Sequence, residues 1–237
     1  MVAQSQPTPA VPPRDPVYPE SDGKPMADNT KQWDAIVLIK TNLDDRLPDF
    51  VAGDHFWYPV EGRPDIVTAP DVFVAFGRPK GHRRSYKQWV EGGVAPQVVF
   101  EVLSPSNTLR EMMDKALFYS EQGVEEAYFY DPDNEAGWAY VREESGRHRR
   151  VDNLDGWVSP RLGIRFDFSS GSLVIFDAEG RRFEAPGELR ARAEAEAARA
   201  DAEAARAEAE AARAEAAAER ARRLAEKLRA AGIDPDA

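Results

Sequence analysis

The sequence predicts an α+β fold: a mixed β-sheet flanked by helices, followed by a long alanine-rich helix at the C-terminal end. Three observations carry this. Apolar runs of strand length, "DVFVAFG", "QVVFEVL" and "EAYFYDP", recur along the chain. Two segments between the prolines and strands carry helix signals. Near Pro186 the composition changes abruptly to Ala, Glu and Arg. The 237 residues therefore divide into a leader over 1–17, a body over 18–186 and a charged alanine-rich helix over 187–237.

The leader holds five prolines and little that packs, so disorder is expected there. In the body, "DNTKQWDAIVLIKTNLDD" predicts a helix capped by Asp28 or Asn29, with Trp33, Ile36, Val37 and Leu43 among its apolar positions. "DHFWYPV" and "DVFVAFG" read as strands, followed by a basic loop, "RPKGHRRSYKQW". The strand "QVVFEVL" leads through a Ser-Pro turn into the helix "TLREMMDKALFYSEQG", which Asn107 caps and Gly123 stops. "EAYFYDP" and "WAYVREE" are two more strands, and Trp157 to Phe183 reads as a meander of short ones.

From Glu188 to Ala231 the chain has no Gly or Pro and consists of strong helix formers. Arg192, Arg199, Arg206, Arg213 and Arg220 recur every seven residues, most with a Glu three before or four after. Alanines at 193, 197, 200, 204, 207, 211, 214, 218, 221 and 225 form a seam that Leu228 continues. This is a coiled-coil pattern, and the helix would run roughly 65 Å. Gly232 is placed to cap it, with Pro235 beyond. Two readings fit equally: a solvated single helix held by ion pairs, or a seam joining two copies in a homodimer or larger oligomer.

Composition excludes several chemistries. With no cysteine, there is no disulfide, thiolate metal site or Cys nucleophile. Three histidines make an all-histidine zinc site unexpected. No secretory h-region and no long apolar run is visible, so a soluble, cytoplasmic protein without a membrane span is expected. The net charge of −11 argues against a coat that binds phosphate backbones by field alone. It leaves room for an acidic pocket that meets phosphate through a cation.

Three residues are candidates for chemistry. Glu101 sits inside an apolar strand, where an ionised carboxylate is costly unless paired or metal-bound. It is either an edge glutamate paired with a base or a ligand. Asp71 opens the strand "DVFVAFG" after Pro70, as turn punctuation or as a second ligand. Lys115 shares a helix face with Thr108, Glu111 and Tyr119, whereas Leu109, Met113, Ala116 and Ser120 are expected to face the core. Two carboxylates on neighbouring strands suit one divalent cation, and a lysine from the next helix suits phosphodiester hydrolysis. Arg83, Arg84 and Lys87 of the basic loop, with Arg78 and Lys80, are candidates to grip phosphates, or simply a solvated loop. Asp65 and Asp131 read as turn residues.

"YPESDGKPM", "APDVFVAFG", "PQVVFEVLSPSN", "DKALFYSEQGVEEAYFYDPD" and "GWVSPRLGIRF" together resemble the Uma-type family of restriction-endonuclease-like proteins, placed in the PD-(D/E)-x-K nuclease superfamily. The resemblance spans residues 18–186, and the closing "LRAAGIDP" also has its like in the family. It implies a restriction-endonuclease-like fold and a Mg2+- or Mn2+-dependent endonuclease acting on nucleic acid, DNA in particular. It implies Asp71 and Glu101 as metal ligands and Lys115 as the catalytic lysine. Glu20 would be a further carboxylate and Tyr119 would orient Lys115. The chain departs from the pattern twice. Leu103 stands where the superfamily's lysine normally does, and the first helix lacks the histidine common near its start. An alternative follows from those departures: a catalytically silent nuclease fold that serves as an interaction module, assembled through its C-terminal helix.

Overall fold

The computed structural model describes residues 16–21, 23 and 27–230, the side chain of Leu228 excepted. Most of the leader, and the C-terminal Gly232 and Pro235, lie outside the described residues. The elements in order are α1 (Thr30–Arg46), β1 (Asp49–Gly53), β2 (Trp57–Tyr58), β3 (Val72–Pro79), β4 (Tyr86–Lys87), β5 (Val98–Val102), α2 (Leu109–Gln122), β6 (Glu126–Asp131), β7 (Ala136–Arg142), β8 (His148–Val151), β9 (Arg165–Asp167), β10 (Val174–Phe176) and α3 (Pro186–Ala230). Two compact units divide between Glu184 and Ala185.

In the first unit six strands form one mixed sheet in the order β1-β3-β5-β6-β7-β8. Every neighbouring pair is antiparallel except β5 and β6, which are parallel and joined by α2. A parallel pair needs such a crossover. The central strand β5 is buried at all five positions, because a helix covers each face of the sheet. On one face Ile36, Ile39 and Leu43 of α1 pack on Val51, Val72, Val74, Val98, Phe100 and Val102. On the other Met112, Ala116 and Tyr119 of α2 pack on Phe73, Ala75, Val99 and Phe129. Side chains alternate between faces along a strand, so Glu101 lies with Val99 on the α2 side.

Several expectations are corrected. Asn29 alone caps α1, accepting the Gln32 N–H at 2.9 Å. Thr108, not Asn107, caps α2: its hydroxyl accepts from Glu111 N, and the Glu111 carboxylate accepts from Thr108 N at 2.7 Å. A reciprocal box satisfies two helix donors where a lone Asn would satisfy one. Asn107 instead closes the preceding turn, accepting from Ser104 N at 2.9 Å. Gly123 ends the helix in the left-handed region, φ 92°. The face of α2 is also turned by one residue. Met112, Ala116 and Tyr119 are buried, whereas Leu109 and Met113 are 74% and 58% exposed. The stretch around Trp57 contributes only a two-residue strand, in a small parallel pair with β4. Strands β1 and β8 stand where the sequence pattern predicts none, and β4 falls within the expected basic loop.

In the second unit α3 is one continuous helix of 45 residues opened by Pro186, a residue preorganised for a first helical position. Ion pairs run along it, Arg190 to Glu194 at 3.0 Å among them. Its described side chains are almost all exposed.

Candidate active site

Pro70 and Asp71 lead into β3, whose pairing with β5 sets Val72 opposite Phe100. Asp71 comes one residue before Val72, just outside β3, and Glu101 comes one residue after Phe100 on β5. Directly opposed residues of an antiparallel pair project to the same face, so the two carboxylates are neighbours. Asp71 Oδ2 accepts the Val102 N–H at 2.6 Å. Its backbone carbonyl accepts from Asp54 N at 3.1 Å.

Helix α2 begins directly after the turn that follows β5, and this returns it across Glu101. Lys115 and Tyr119 are four residues apart and share one face. Each takes one oxygen of Glu101: Lys115 Nζ donates to Oε2 at 2.6 Å, and the Tyr119 hydroxyl donates to Oε1. Tyr119 also stands 3.4 Å from the Thr68 hydroxyl, and the indole of Trp57 lies parallel to its ring at 6.4 Å. Glu101 is 2% exposed, whereas the Lys115 side chain keeps 34% of its surface. A buried glutamate must be compensated, and these two donors do so.

The electrostatics follow from this crowding. Burial, and then the charge of Glu101, hold Asp71 well above the usual carboxylate range, against the pull of Lys115 and the Val102 N–H. Burial works against the Lys115 ammonium, but Glu101 and Asp71 outweigh it and hold its pKa above the ordinary lysine value. Burial and the Glu101 charge push the Tyr119 phenol far up, so it remains a proton donor. Beside Lys115 opens a hollow of about 370 Å3, lined among others by Thr68, Asn107, Met112 and Phe118.

The structure thus brings together Asp71, Glu101, Lys115 and Tyr119. It does not join Glu20 to them by a hydrogen bond or ion pair: Glu20 pairs with Arg84 at 2.9 Å. In the basic loop, Arg83 is spent internally, on Glu91 at 2.6 Å and over the Phe50 ring at 3.9 Å. Arg84 is exposed, and Lys87 lies over the Tyr18 ring at 4.9 Å. Arg78 donates to the Glu91 carbonyl and Lys80 pairs with Asp44. Leu103 packs partly buried in the α2-side core, so the amine reaching Glu101 comes from the helix instead. Asp131 accepts from the backbone of Asp133 and Asn134, both at 3.0 Å, as a turn residue does.

Sequence reasoning missed three contributors. Thr68 and Trp57 reach Tyr119 from a segment with no motif. Gln32 of α1, buried, donates to the Val102 carbonyl at 2.8 Å and fixes the end of the strand that carries Glu101. A buried polar residue on an apolar helix face was the one available signal.

The family model described as "Putative restriction endonuclease", Uma2, matches residues 20–175, a span that contains this whole cluster. The chain belongs to the Uma2 family. Among solved structures it is similar to a chain titled a putative nuclease belonging to DUF820, from Anabaena variabilis. The identity is 16% and the TM-score 0.38, over 54% of this chain and 69% of that one. Membership rests on the family match alone. The comparison with curated proteins finds no match. For the Uma2 protein a metal is the natural question. Among the described residues no group of three or more His, Cys, Asp or Glu is placed to hold an ion, so Asp71 and Glu101 are a pair. Their oxygens fit a hard divalent cation. Asp71, whose pKa burial and then the charge of Glu101 raise, is the group such a cation would relieve. No helix among the described residues is long and apolar enough to cross a membrane.

Proposed function

We propose that this Uma2 protein is a divalent-metal-dependent endonuclease that hydrolyses phosphodiester bonds in DNA. One observation carries the reading: Asp71, just before β3, accepts the N–H of Val102, the residue after Glu101 on β5, and the Lys115 amine lies 2.6 Å from Glu101. Asp71 and Glu101 would hold Mg2+ or Mn2+. The bound ion supplies Lewis acidity toward a phosphoryl oxygen and lowers the pKa of a water.

The remaining work falls to the chain's own groups. Lys115 keeps a positive charge at Nζ, at the border between Glu101 and the open hollow, where it offsets charge developing on phosphate oxygens. Tyr119 keeps its proton and holds Glu101 Oε1 in place. The Val102 N–H fixes Asp71, and Gln32 fixes Val102. Water attacks phosphorus, one P–O ester bond breaks, and the departing oxygen takes a proton, leaving a hydroxyl and a phosphate monoester. The test is nicking of supercoiled plasmid in Mg2+ or Mn2+. The intact protein should nick, and Glu101→Gln should abolish it. Equal nicking by both rejects the assignment.

A second reading concerns assembly. The described side chains of α3 are almost all exposed, and its alanine seam is suited to a coiled coil with a second copy. This would leave the fold as an interaction module if the site is silent. Light scattering on the full chain and on residues 1–184 decides it: identical oligomeric states exclude self-association through α3.

A further inference from the structure

We propose that the outer face of α2 is the contact of a homodimer, in which α2 packs antiparallel against α2 of a second copy. Leu109, Met113 and Leu117 are each more than half exposed. They stand at i, i+4 and i+8, so they form one stripe along the helix. The other large apolar side chains exposed among the described residues stand singly in the sequence. Isolated ones are ordinary, whereas a contiguous stripe marks a contact surface. Ser120 continues the stripe, and its hydroxyl lies 2.9 Å from His148 Nδ1 on β8. The stripe thus borders the β7–β8 side of the sheet. There Trp138 and Tyr140, turned toward α2, are only half-buried and extend the apolar surface.

The stripe is symmetric about Met113. With a two-fold axis at that residue, Met113 meets its own copy. Leu109, one turn before it, meets Leu117, one turn after it, and the reverse holds on the other side of the axis. Such a surface complements itself.

Charge supports the same partner and orientation. The net charge of −11 opposes self-association in general. Beside the stripe, however, stand Arg110 and Asp114, both exposed and only loosely paired at 3.9 Å. In the antiparallel arrangement Arg110 of each copy faces Asp114 of the other, so the flank closes with two charge pairs. The contact is short: α2 has 14 residues, about 21 Å of helix. A standard interface buries roughly 800 Å2 on each partner, more than such a stripe supplies, so the dimer is concentration-dependent rather than permanent. It uses no part of α3 and does not depend on the endonuclease reading. Because α2 also carries Lys115 and Tyr119, the pairing would hold two copies of the candidate site in a fixed relation.

The experiment is sedimentation equilibrium of the full chain from about 1 to 100 μM, with circular dichroism to check that each variant is folded. The mass of the unaltered protein should rise from monomer toward dimer across that range. Met113→Glu, which puts a charge on the axis, should weaken association by roughly 30-fold or more. Arg110→Asp and Asp114→Arg should each weaken it by roughly 5-fold, because like charges then face each other. An equimolar mixture of these two variants should recover the original affinity, since each supplies the charge that the other lacks. Loss in Met113→Glu together with recovery in the mixture supports the proposal. A monomer at every concentration, association that survives Met113→Glu, or a mixture no stronger than either variant alone overturns it.

Discussion

Removing the Lys115 amine should destabilise the fold far more than neutralising its partner. Glu101 is 2% exposed and faces Asp71, so Lys115→Met leaves a buried carboxylate with only the Tyr119 hydroxyl to compensate it. Breaking a buried pair in this way costs about 3–5 kcal/mol. In a unit of this size each kcal/mol moves the melting temperature by about 2–4 °C, so the loss should be about 6–20 °C. Glu101→Gln is different. The Lys115 side chain is 34% exposed and can turn to water, Tyr119 can still donate to the amide oxygen, and Asp71 loses a repulsive neighbour. Its cost should stay below about 1.5 kcal/mol. The assay is thermal unfolding in the presence of a chelator. Mn2+ should then restore more stability to Lys115→Met than it adds to the unaltered protein, because a ligand that binds only the folded state stabilises by mass action. Equal losses for the two variants, or a larger loss for Glu101→Gln, would refute the view that the amine compensates a buried carboxylate.

Other outcomes follow from the same geometry. Tyr119→Phe removes the donor to Glu101 Oε1 and should lower plasmid nicking or Mn2+ affinity by roughly 10–100-fold while the chain stays folded, measured by cleavage rate and metal titration. Burial, then the charges of Arg83 and His82, hold the His55 imidazole below its ordinary value. As the pH falls through about 6.5 the unfolded chain takes up this proton first. The His55 contribution is thus complete above that pH and is lost as pH falls toward the folded value, by at most about 1.4 kcal/mol per unit. His55→Phe should flatten that loss in melts between pH 7.5 and 5.5, each read to about 0.1 unit. Gly137→Val should destabilise by about 1–3 kcal/mol in urea melts, since a Cβ there would meet Leu154 at 2.9 Å and the Phe129 carbonyl oxygen at 3.2 Å.

Strands β3, β5 and β6 are nearly all apolar because helices cover both faces of the sheet, and such runs announce themselves. Strand β8, "HRRV", lies at the edge of the sheet with two exposed arginines, and nothing in its pattern says strand. Strand β1 is five residues long and follows a proline, so it was lost in the loop after α1. The rotation of α2 was misjudged because Leu109 and Met113 are apolar yet exposed. A helix turns about 100° per residue, so an error of one position moves the whole buried face.

What the chain alone determined was local: which segments are helices and strands, that a carboxylate interrupts an apolar strand, and that the composition ends in a charged alanine helix. The pairing of Asp71 with Glu101, and the return of Lys115 and Tyr119 onto the two oxygens of Glu101, were decided only by tertiary structure. The physical reason is that strand register and helix rotation are set by burial summed over both faces of the sheet. So are the compensation of Glu101 and the raised pKa of Asp71. No stretch of neighbouring residues contains that sum.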